Sequence, residues 1–520
     1  MDVPPATSYD AVPYPSLPIR RTHPCYLAAL ARLFGLDPPS PRRCRVLELG
    51  CASGGNLLPM AADLPESSFL GIDASGQQVA EGQAAVRAVG VGNLEIRQLD
   101  LADFPADAGT FDYILCHGVY SWVPAAIREK ILGIGRRHLH PQGVFYLSYN
   151  AYPGWHLRGV IRDMMRYHVR RFGDPRTKII QARLLLDFLT GMATGRSETY
   201  RQLLRDEAAI LSKCGDGYLF HEHLEDDNEP LYFYQFAERV AAAGLQYLGD
   251  AEFNTMLAAN FGEEIAAILK NAPRLVQEQY LDFLRNRTFR SSLVCHAERV
   301  VQTAIDPLQL ADCDVALEAR LEMPPLGLET DEPLVCRAGH EELTASAPLT
   351  KAALAVLNEN WPSCLGFADL LAAACDKALT AGRQVGDLAP HRHRLAADLL
   401  ILFSRRLLRV LVAGPRSVPL AGPCPGATSV ARWQATRTDG VTNRRHEQVH
   451  LNDLSRCLLA KLDGRHDRAA LGVALREAMA RGDVEIRRDG QRLSDADENT
   501  VVQLVGHALS NLAEMSLLVA

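Results

Sequence analysis

Three acids stand at or near the ends of short apolar runs. Glu48 lies within "RVLELG", Asp73 ends "SFLGID" and Asp100 ends "LEIRQLD". Behind the first run comes a loop of small residues, "GCASGGN", residues 50–56. Gly50 and Gly54 allow a tight turn and a close approach of backbone to a ligand with no Cβ in the way. Asn56 opens the next helix, whose free N–H groups favour a negative or carboxylate-bearing group. Asp73 follows at the spacing at which an acid grips a ribose diol, and Asp100 can accept from an adenine amino group. Such a set holds a nucleoside with a charged tail. Packing alone explains it poorly, because unpaired buried carboxylates are costly. A dinucleotide is the rival ligand, but Ala52 stands where that fingerprint has its second glycine against the pyrophosphate. Glu48 and Asp100 also suit a ligand without phosphates.

These residues are far apart in sequence, so the fold must bring them together. Between residues 45 and 148, five apolar runs alternate with helical spacing such as "ASGQQVAEGQAAVRAV". The fourth run is "FDYILCHG" and the fifth "GVFYLSYN". Strands alternating with helices imply βαβ units and a parallel sheet. Right-handed crossovers then place every carboxyl end on one edge. Gly50, Asp73, Asp100 and the pair Cys116–His117 would line one crevice there.

The ordered motifs "VLELGCASGGN", "GIDAS", "QLDLADF", "FDYILCHGVYSWV" and "LHPQGVFYLSYN" resemble those of class I S-adenosylmethionine-dependent methyltransferases. The likeness extends to "YDAVPYPSLPIRRTHP", "YNAYPGWHLRGVIRDMMRYH" and "YLDFLRNRTFRSSLVCH". These resemble bacterial methyltransferases with a regulatory domain, a group that includes protein-lysine methyltransferases acting on outer-membrane surface proteins. The resemblance implies S-adenosyl-L-methionine as cofactor. It implies that Gly50, Ala52, Ser53 and Gly54 wrap its methionine part, with Glu48 and Asn56 also among the cofactor-binding residues. Asp73 and Ala74 would hold the ribose, Asp100 and Leu101 the adenine, and Cys116 and His117 the open side. Tyr9, Tyr14 and His23, in a leader too proline-rich for a strand or helix, would fold over the pocket; a plain surface brace is the other reading.

A class I sheet closes soon after its fifth strand. Here "VIRDMMRYHVRRF" and "KIIQARLLLDFLTGM" intervene, and the closing pattern comes later, in "PLYFYQFAERVAAAGLQYLGDAEF". The expected fold class is α/β: a Rossmann-like seven-stranded class I methyltransferase sheet with a helical insertion, plus α+β, winged-helix-like C-terminal domains. The expected division is a cofactor-binding core over 1–155, a helical insertion over 156–216, a closing and regulatory part over 217–300, a middle domain over 301–425 and a C-terminal helical domain over 426–520. "KIIQARLLLDFL" is apolar on more than one face and must be covered on more than one side. A second copy is the expected cover, making a homodimer.

Methyl transfer needs acceptor, methyl and sulfur in line with water kept out. An amine acceptor must also be made neutral. Two loops at the carboxyl edge offer polar aromatics for this. "HGVYSW" supplies Tyr120 and Trp122, and "YNAYPGWH" supplies Tyr149, Asn150 and Trp155. These five are the candidate catalytic residues. Neither loop is the Asn/Asp-Pro-Pro-aromatic tetrad of many nucleic-acid and glutamine N-methylating enzymes. "HEHLEDDNE", residues 221–229, lacks metal-ligand spacing and reads as a solvated acidic rim that attracts a lysine-bearing substrate, so no metal is expected.

The totals fit this reading. A net charge of −7 spread along 520 residues offers no basic face for nucleic acid. No apolar run reaches spanning length, and "LAADLLILFSRRLLRVLVAG" is broken by arginines. The twelve cysteines form no C-x-x-C pair. The totals fit a cytoplasmic protein, and the resemblance implies a methyltransferase acting on lysines of a protein substrate, an outer-membrane or surface protein included. Methylation of a small molecule and a regulatory pseudoenzyme are the alternatives.

Overall fold

The strand alternation produces the expected sheet. In a computed structural model, which describes residues 8–192, 197–383, 387–488, 491–492 and 497–519, the first five strands are parallel: β1 Arg45–Leu49, β2 Ser68–Asp73, β3 Leu94–Gln98, β4 Phe111–Cys116 and β5 Leu139–Asn150. β6 Leu245–Asp250 and β7 Phe289–His296 complete the order β3-β2-β1-β4-β5-β7-β6, with β7 antiparallel to both neighbours. "RSSLVCH" thus lies inside the sheet, and β6 takes the edge. β1 reads nearly continuously apolar because both its faces are covered.

The helices are α1 Ser8–Ala11, α2 Pro24–Leu33, α3 Leu57–Asp63, α4 Gly76–Val89 and α5 Ala125–His138 before the end of β5. α4 shows why its segment folds locally: the Ser75 hydroxyl accepts from Gln78 N–H at 3.2 Å, and Gly90 ends the helix at φ +78°. The inserted helices are α6 Gly154–Val169, α7 Pro175–Met192 and α8 Glu198–Leu211. Short α9 Asp216–Leu219 and a π-helical turn, Phe220–Leu224, follow. The insertion has its own core, where Ile161 and Met165 of α6 and Ile179, Ala182 and Leu186 of α7 meet Leu219, Phe220 and Leu224. Residues 217–224 therefore pack with the insertion, although the sequence reading grouped them with the closing part.

Returning to the sheet, α10 Phe233–Ala242, α11 Glu263–Leu269 and α12 Arg274–Arg285 flank β6 and lead into β7. Beyond β7, a three-stranded sheet (Leu365–Gly366, Asp314–Leu317, Leu408–Leu411) carries helices Pro348–Glu359, Phe367–Thr380 and Leu388–Ser404. Its apolar interior is continuous with that under β1 and α2. The last unit, with helices Ser429–Ala435, Asp453–Leu459, Arg468–Arg481 and Glu498–Glu514, has a separate core.

Arg290, on β7 and fully buried, pins α12 to the sheet. Its guanidinium donates to Asp282 at 2.8 Å and Glu278 at 2.9 Å and lies 3.4 Å from Asp250, which Arg287 also meets at 3.0 Å. Removing one member of a buried charge network strands the rest. Arg290→Ala should lower unfolding stability by about 3–5 kcal/mol, read as a shift of the urea midpoint; a midpoint unchanged from wild type would show that the network contributes nothing.

Candidate active site

The carboxyl edge of the sheet opens into a cavity of about 650 Å³. One wall is the glycine loop. Gly50 sits at φ +75° and donates to the Ile72 carbonyl, and an added Cβ would collide with Val119. Ala52, also left-handed at φ +50°, donates its N–H to Asp73 Oδ2 at 2.8 Å. Asp73 Oδ1 accepts from Ser75 N–H at 2.9 Å, so both oxygens are held in place at the end of β2. Burial raises the Asp73 carboxyl above its ordinary value. Asp100 accepts from Ala102 N–H at 2.8 Å and lines the cavity with Ala74 and Leu101.

Glu48 is the acid with an unmet requirement. Its Oε1 accepts from Asn56 Nδ2 at 2.7 Å, while buried Oε2 has no hydrogen-bond partner among the described residues. Burial, and secondarily Asp73, push its carboxyl up to about 7 against the Asn56 hydrogen bond. A buried acceptor beside the glycine loop fits the ammonium of a cofactor's methionine end. Asn56 is itself fixed from two sides. Its Oδ1 accepts from Ile19 N–H at 2.9 Å and faces His446 Nε2, of the last unit, at 2.8 Å.

The leader is the roof. Ser16 Oγ accepts from Gly55 N–H at 2.7 Å, and any Cβ at Gly55 would run into the Ser16 carbonyl. Gln78 Nε2 donates to the Tyr14 carbonyl at 3.1 Å. Tyr9 stacks on His221, ring centroids 4.1 Å apart and 4° from parallel. His221 Nε2 lies 2.6 Å from the Val12 carbonyl and Nδ1 lies 2.8 Å from Glu225. Both leader tyrosines line the cavity.

Further lining comes from the insertion and from the loops after β4 and β5. Trp122 and Trp155 meet edge to face with centroids 5.9 Å apart. Arg158 lies over Trp155 and donates to Glu207 at 3.1 Å and Tyr218 Oη at 3.0 Å. Glu222 is beside it, with its carboxylate 3.8 Å from Arg158 Nη1. His117 lines the same space, its Nδ1 2.9 Å from Tyr146 Oη, and burial holds its pKa down to about 4. Asn150 closes this side and donates to Asn228 Oδ1 at 2.9 Å.

Six expected residues are not among the lining residues. On β5, Tyr146, Ser148 and Asn150 share one face, so Tyr149 turns the other way and stacks on Phe236 at 4.2 Å. Tyr120 packs edge-on against Tyr149 and Phe236 in the same core. Cys116 alternates away from His117 into that core as well. Ser53 and Gly54 turn to the back of the loop, against Gly82 and Ile96. His23 caps α2 by accepting from Cys25 N–H at 3.2 Å and lies edge-on to His446, 5.2 Å away. The expected acidic rim is corrected at its start, where His221 and His223 are buried and Glu222 is cavity wall, while Asp226 and Asp227 are exposed. Sequence reasoning missed Arg158, Tyr218, Thr288 and Phe289 in the lining, and His446 behind it. The first two follow the insertion's packing, and the next two follow a strand order that the sequence alone does not show.

The strand order and the acid-and-glycine cavity at its carboxyl edge define a class I methyltransferase. Residues 46–143 match the family model "Methyltransferase domain", residues 215–296 "Predicted methyltransferase regulatory domain" and residues 424–517 "PKMT, C-terminal winged helix domain". The chain is 34% identical over 499 residues to the uncharacterized protein RP789 of Rickettsia prowazekii, covering 94% of this chain and 89% of that one. It is 39% identical over 232 residues to RP028 of the same organism, covering 45% of this chain and 93% of that one. Among solved structures, PKMT2 of Rickettsia typhi in complex with AdoHcy superposes with a TM-score of 0.85 at 28% identity, over 98% of this chain and 100% of that one. The chain belongs to this family of methyltransferases, which joins the catalytic sheet to a regulatory and a C-terminal winged-helix domain.

The raised carboxyl of Glu48 has a consequence for the unliganded protein. A carboxyl whose folded pKa exceeds its unfolded value binds its proton more tightly in the fold, so stability is lost as pH rises through about 7. Glu48→Gln removes that loss. In thermal melts without ligand, the variant should be the more stable protein at pH 8, by on the order of 3 kcal/mol, with the gap shrinking toward pH 5. A gap that does not change with pH would contradict the assignment.

Proposed function

We propose that the chain transfers the methyl group of S-adenosyl-L-methionine to lysine side chains of a protein substrate. The carrying observation is that Trp122, Trp155, Tyr218 and Glu222 line the same cavity as Glu48, Gly50 and Asp73. Aromatic faces and one carboxylate suit an alkylammonium better than a neutral hydroxyl. Likeness to PKMT2 of R. typhi over nearly the whole chain supports the same reading.

When bound, the cofactor supplies a methyl group on a positively charged sulfur, open to attack by a nucleophile. The chain's residues do the rest. Glu48 Oε2 receives the cofactor's ammonium, Asp73 its ribose hydroxyls and Asp100 its adenine side. The leader, through Tyr9 and Tyr14, excludes water from above. Trp122 and Trp155 fix the approach of the acceptor nitrogen. Uncharged His117 adds no repulsion beside a cationic sulfur.

Three further parts of the proposal concern the setting. All twelve cysteines are free, as suits a reducing, cytoplasmic compartment, and no helix among the described residues is long and apolar enough to cross a membrane. The family resemblance extends the acceptor to surface or outer-membrane proteins. The chain is also proposed to be a homodimer through α7. One face of α7 fills the insertion core, and Ile180, Leu184, Phe188 and Met192 line up at four-residue spacing, each more than half exposed. A two-fold axis is the commonest way to cover such a stripe.

Methyl-labelled cofactor added with the enzyme to a cell extract should label protein bands, and mass spectrometry should place the methyl groups on lysine. Label on a metabolite alone would replace lysine with a small-molecule acceptor, and no transfer at all would favour a regulatory pseudoenzyme. Asp73→Ala should weaken S-adenosylhomocysteine binding by about 2 kcal/mol in calorimetry. Light scattering should give twice the chain mass, falling to one chain in Leu184→Glu; a wild-type monomer at micromolar concentration would remove the dimer.

A further inference from the structure

We propose that Glu222 is a catalytic residue, the group that draws the acceptor ammonium into the cavity and takes its proton. This rests on an amine acceptor and adds the base that the reaction needs. Glu222 lies in the π-helical turn Phe220–Leu224, a local widening of the helix that often marks functional positions. The turn is held on both sides of Glu222. His221 is locked by Val12, Glu225 and the Tyr9 ring, and His223 Nε2 lies 3.0 Å from Glu207. Glu222, between them, lines the cavity, and its carboxylate accepts no hydrogen bond from any described residue. Its nearest cation, Arg158, is 3.8 Å away and already committed to Glu207 and Tyr218.

A mostly covered carboxylate that accepts no hydrogen bond from a described residue is open to a donor from a ligand. An alkylammonium supplies what is missing. The aromatic surfaces of Trp122, Trp155 and Tyr218 line the same space and suit the stem and head of a lysine. The charged and titratable groups facing Glu222 are Arg158 and Arg162 of α6, Glu207 of α8, His221 of its own turn, Tyr218 of α9, and Tyr9 and Tyr14 of the leader. Burial outweighs the two arginines and pushes the Glu222 carboxyl up to about 7, with Glu207 adding to the rise. That value suits a base working near neutrality.

The step balances. A proton passes from the ammonium to the Glu222 carboxylate. The freed lone pair forms the N–C bond as the C–S bond breaks, its electrons remaining on sulfur. S-adenosylhomocysteine and a methylated ammonium result, and Glu222 returns its proton to water as the products leave. Neighbouring Glu207, held by Arg158 and His223, is kept below the usual carboxylate range and so stays a counter-ion.

The test is the pH profile of kcat/KM on a protein acceptor that the wild-type enzyme methylates on lysine. Below about pH 7 Glu222 carries its proton and cannot accept another, so the wild-type rate should fall on the acid side. Glu222→Gln should lose about 100-fold or more in kcat, keep its affinity for S-adenosylhomocysteine, and recover rate only as pH approaches the lysine's own pKa. Glu222→Asp should restore part of the rate and retain an acid limb, which a merely structural role would not produce. Wild-type kcat with an unchanged acid limb in Glu222→Gln would overturn the proposal. So would a flat wild-type profile across pH 6–8, should the Gln variant fail to fold. Absence of methyl-lysine in the wild-type product would instead strike the lysine reading.

Discussion

The side-chain amide of Asn56 is the joint on which the site depends. It is almost wholly buried and joins its loop to the neighbouring β1 and to two segments distant in sequence. Nδ2 donates to Glu48 on β1, while Oδ1 accepts from the leader at Ile19 and faces His446 of the last unit. A buried carboxylate is costly unless its oxygens are met. Asn56 meets one and leaves the other for a ligand. Its orientation is set because the oxygen is claimed by donors on both sides, which turns the NH₂ toward Glu48. His446 sits at φ +58°, an uncommon conformation for a residue other than glycine, and burial keeps its ring uncharged. The winged-helix unit thus reaches the cofactor wall through one imidazole. Its attachment to the catalytic sheet is part of how the site is assembled.

In the proposed function, the insertion does for the acceptor what Asn56 does for the cofactor. α6 carries Arg158 and Arg162 toward the two tryptophans, and the turn after α9 brings Glu222 beside them. Neither wall is satisfied by itself. Glu48 Oε2 has no hydrogen-bond partner among the described residues, the Glu222 carboxylate has Arg158 at 3.8 Å, and the two carboxyls are pushed to about 7 mainly by burial. Local rules are broken where ligands belong, and stability comes from elsewhere, such as the Arg290 network and the continuous core under β1.

Much of the cofactor wall was legible because it depends on local chemistry. Gly50, Asp73 and Asp100 follow from strand ends and turn geometry, and they stand where the spacing put them. The insertion helices were legible from their periodicity. The errors cluster where a two-residue period decides the face. Tyr149 and Cys116 are adjacent to true lining residues and point the opposite way. His446 lies 390 residues from Asn56 and carries no local signal. The first half of "HEHLEDDNE" misled because charge suggests solvent, whereas His223 is fully buried against Glu207 and Glu222 lines a cavity; Asp226 and Asp227 are exposed as charge suggests. Burial of that kind is set by packing between elements, which composition does not encode.

The central claim is that a single amide, held from both ends of the chain, readies Glu48 for the cofactor. Calorimetric titration of S-adenosylhomocysteine into the full chain and into Asn56→Leu tests it most directly. With Asn56 gone, Glu48 loses its donor, and the leader and His446 lose their common acceptor. Affinity should fall by about 100-fold, as expected when hydrogen bonds to a buried charged group are lost, while the circular dichroism spectrum is retained. An Asn56→Leu protein that keeps its fold and binds S-adenosylhomocysteine as tightly as wild type would contradict the account.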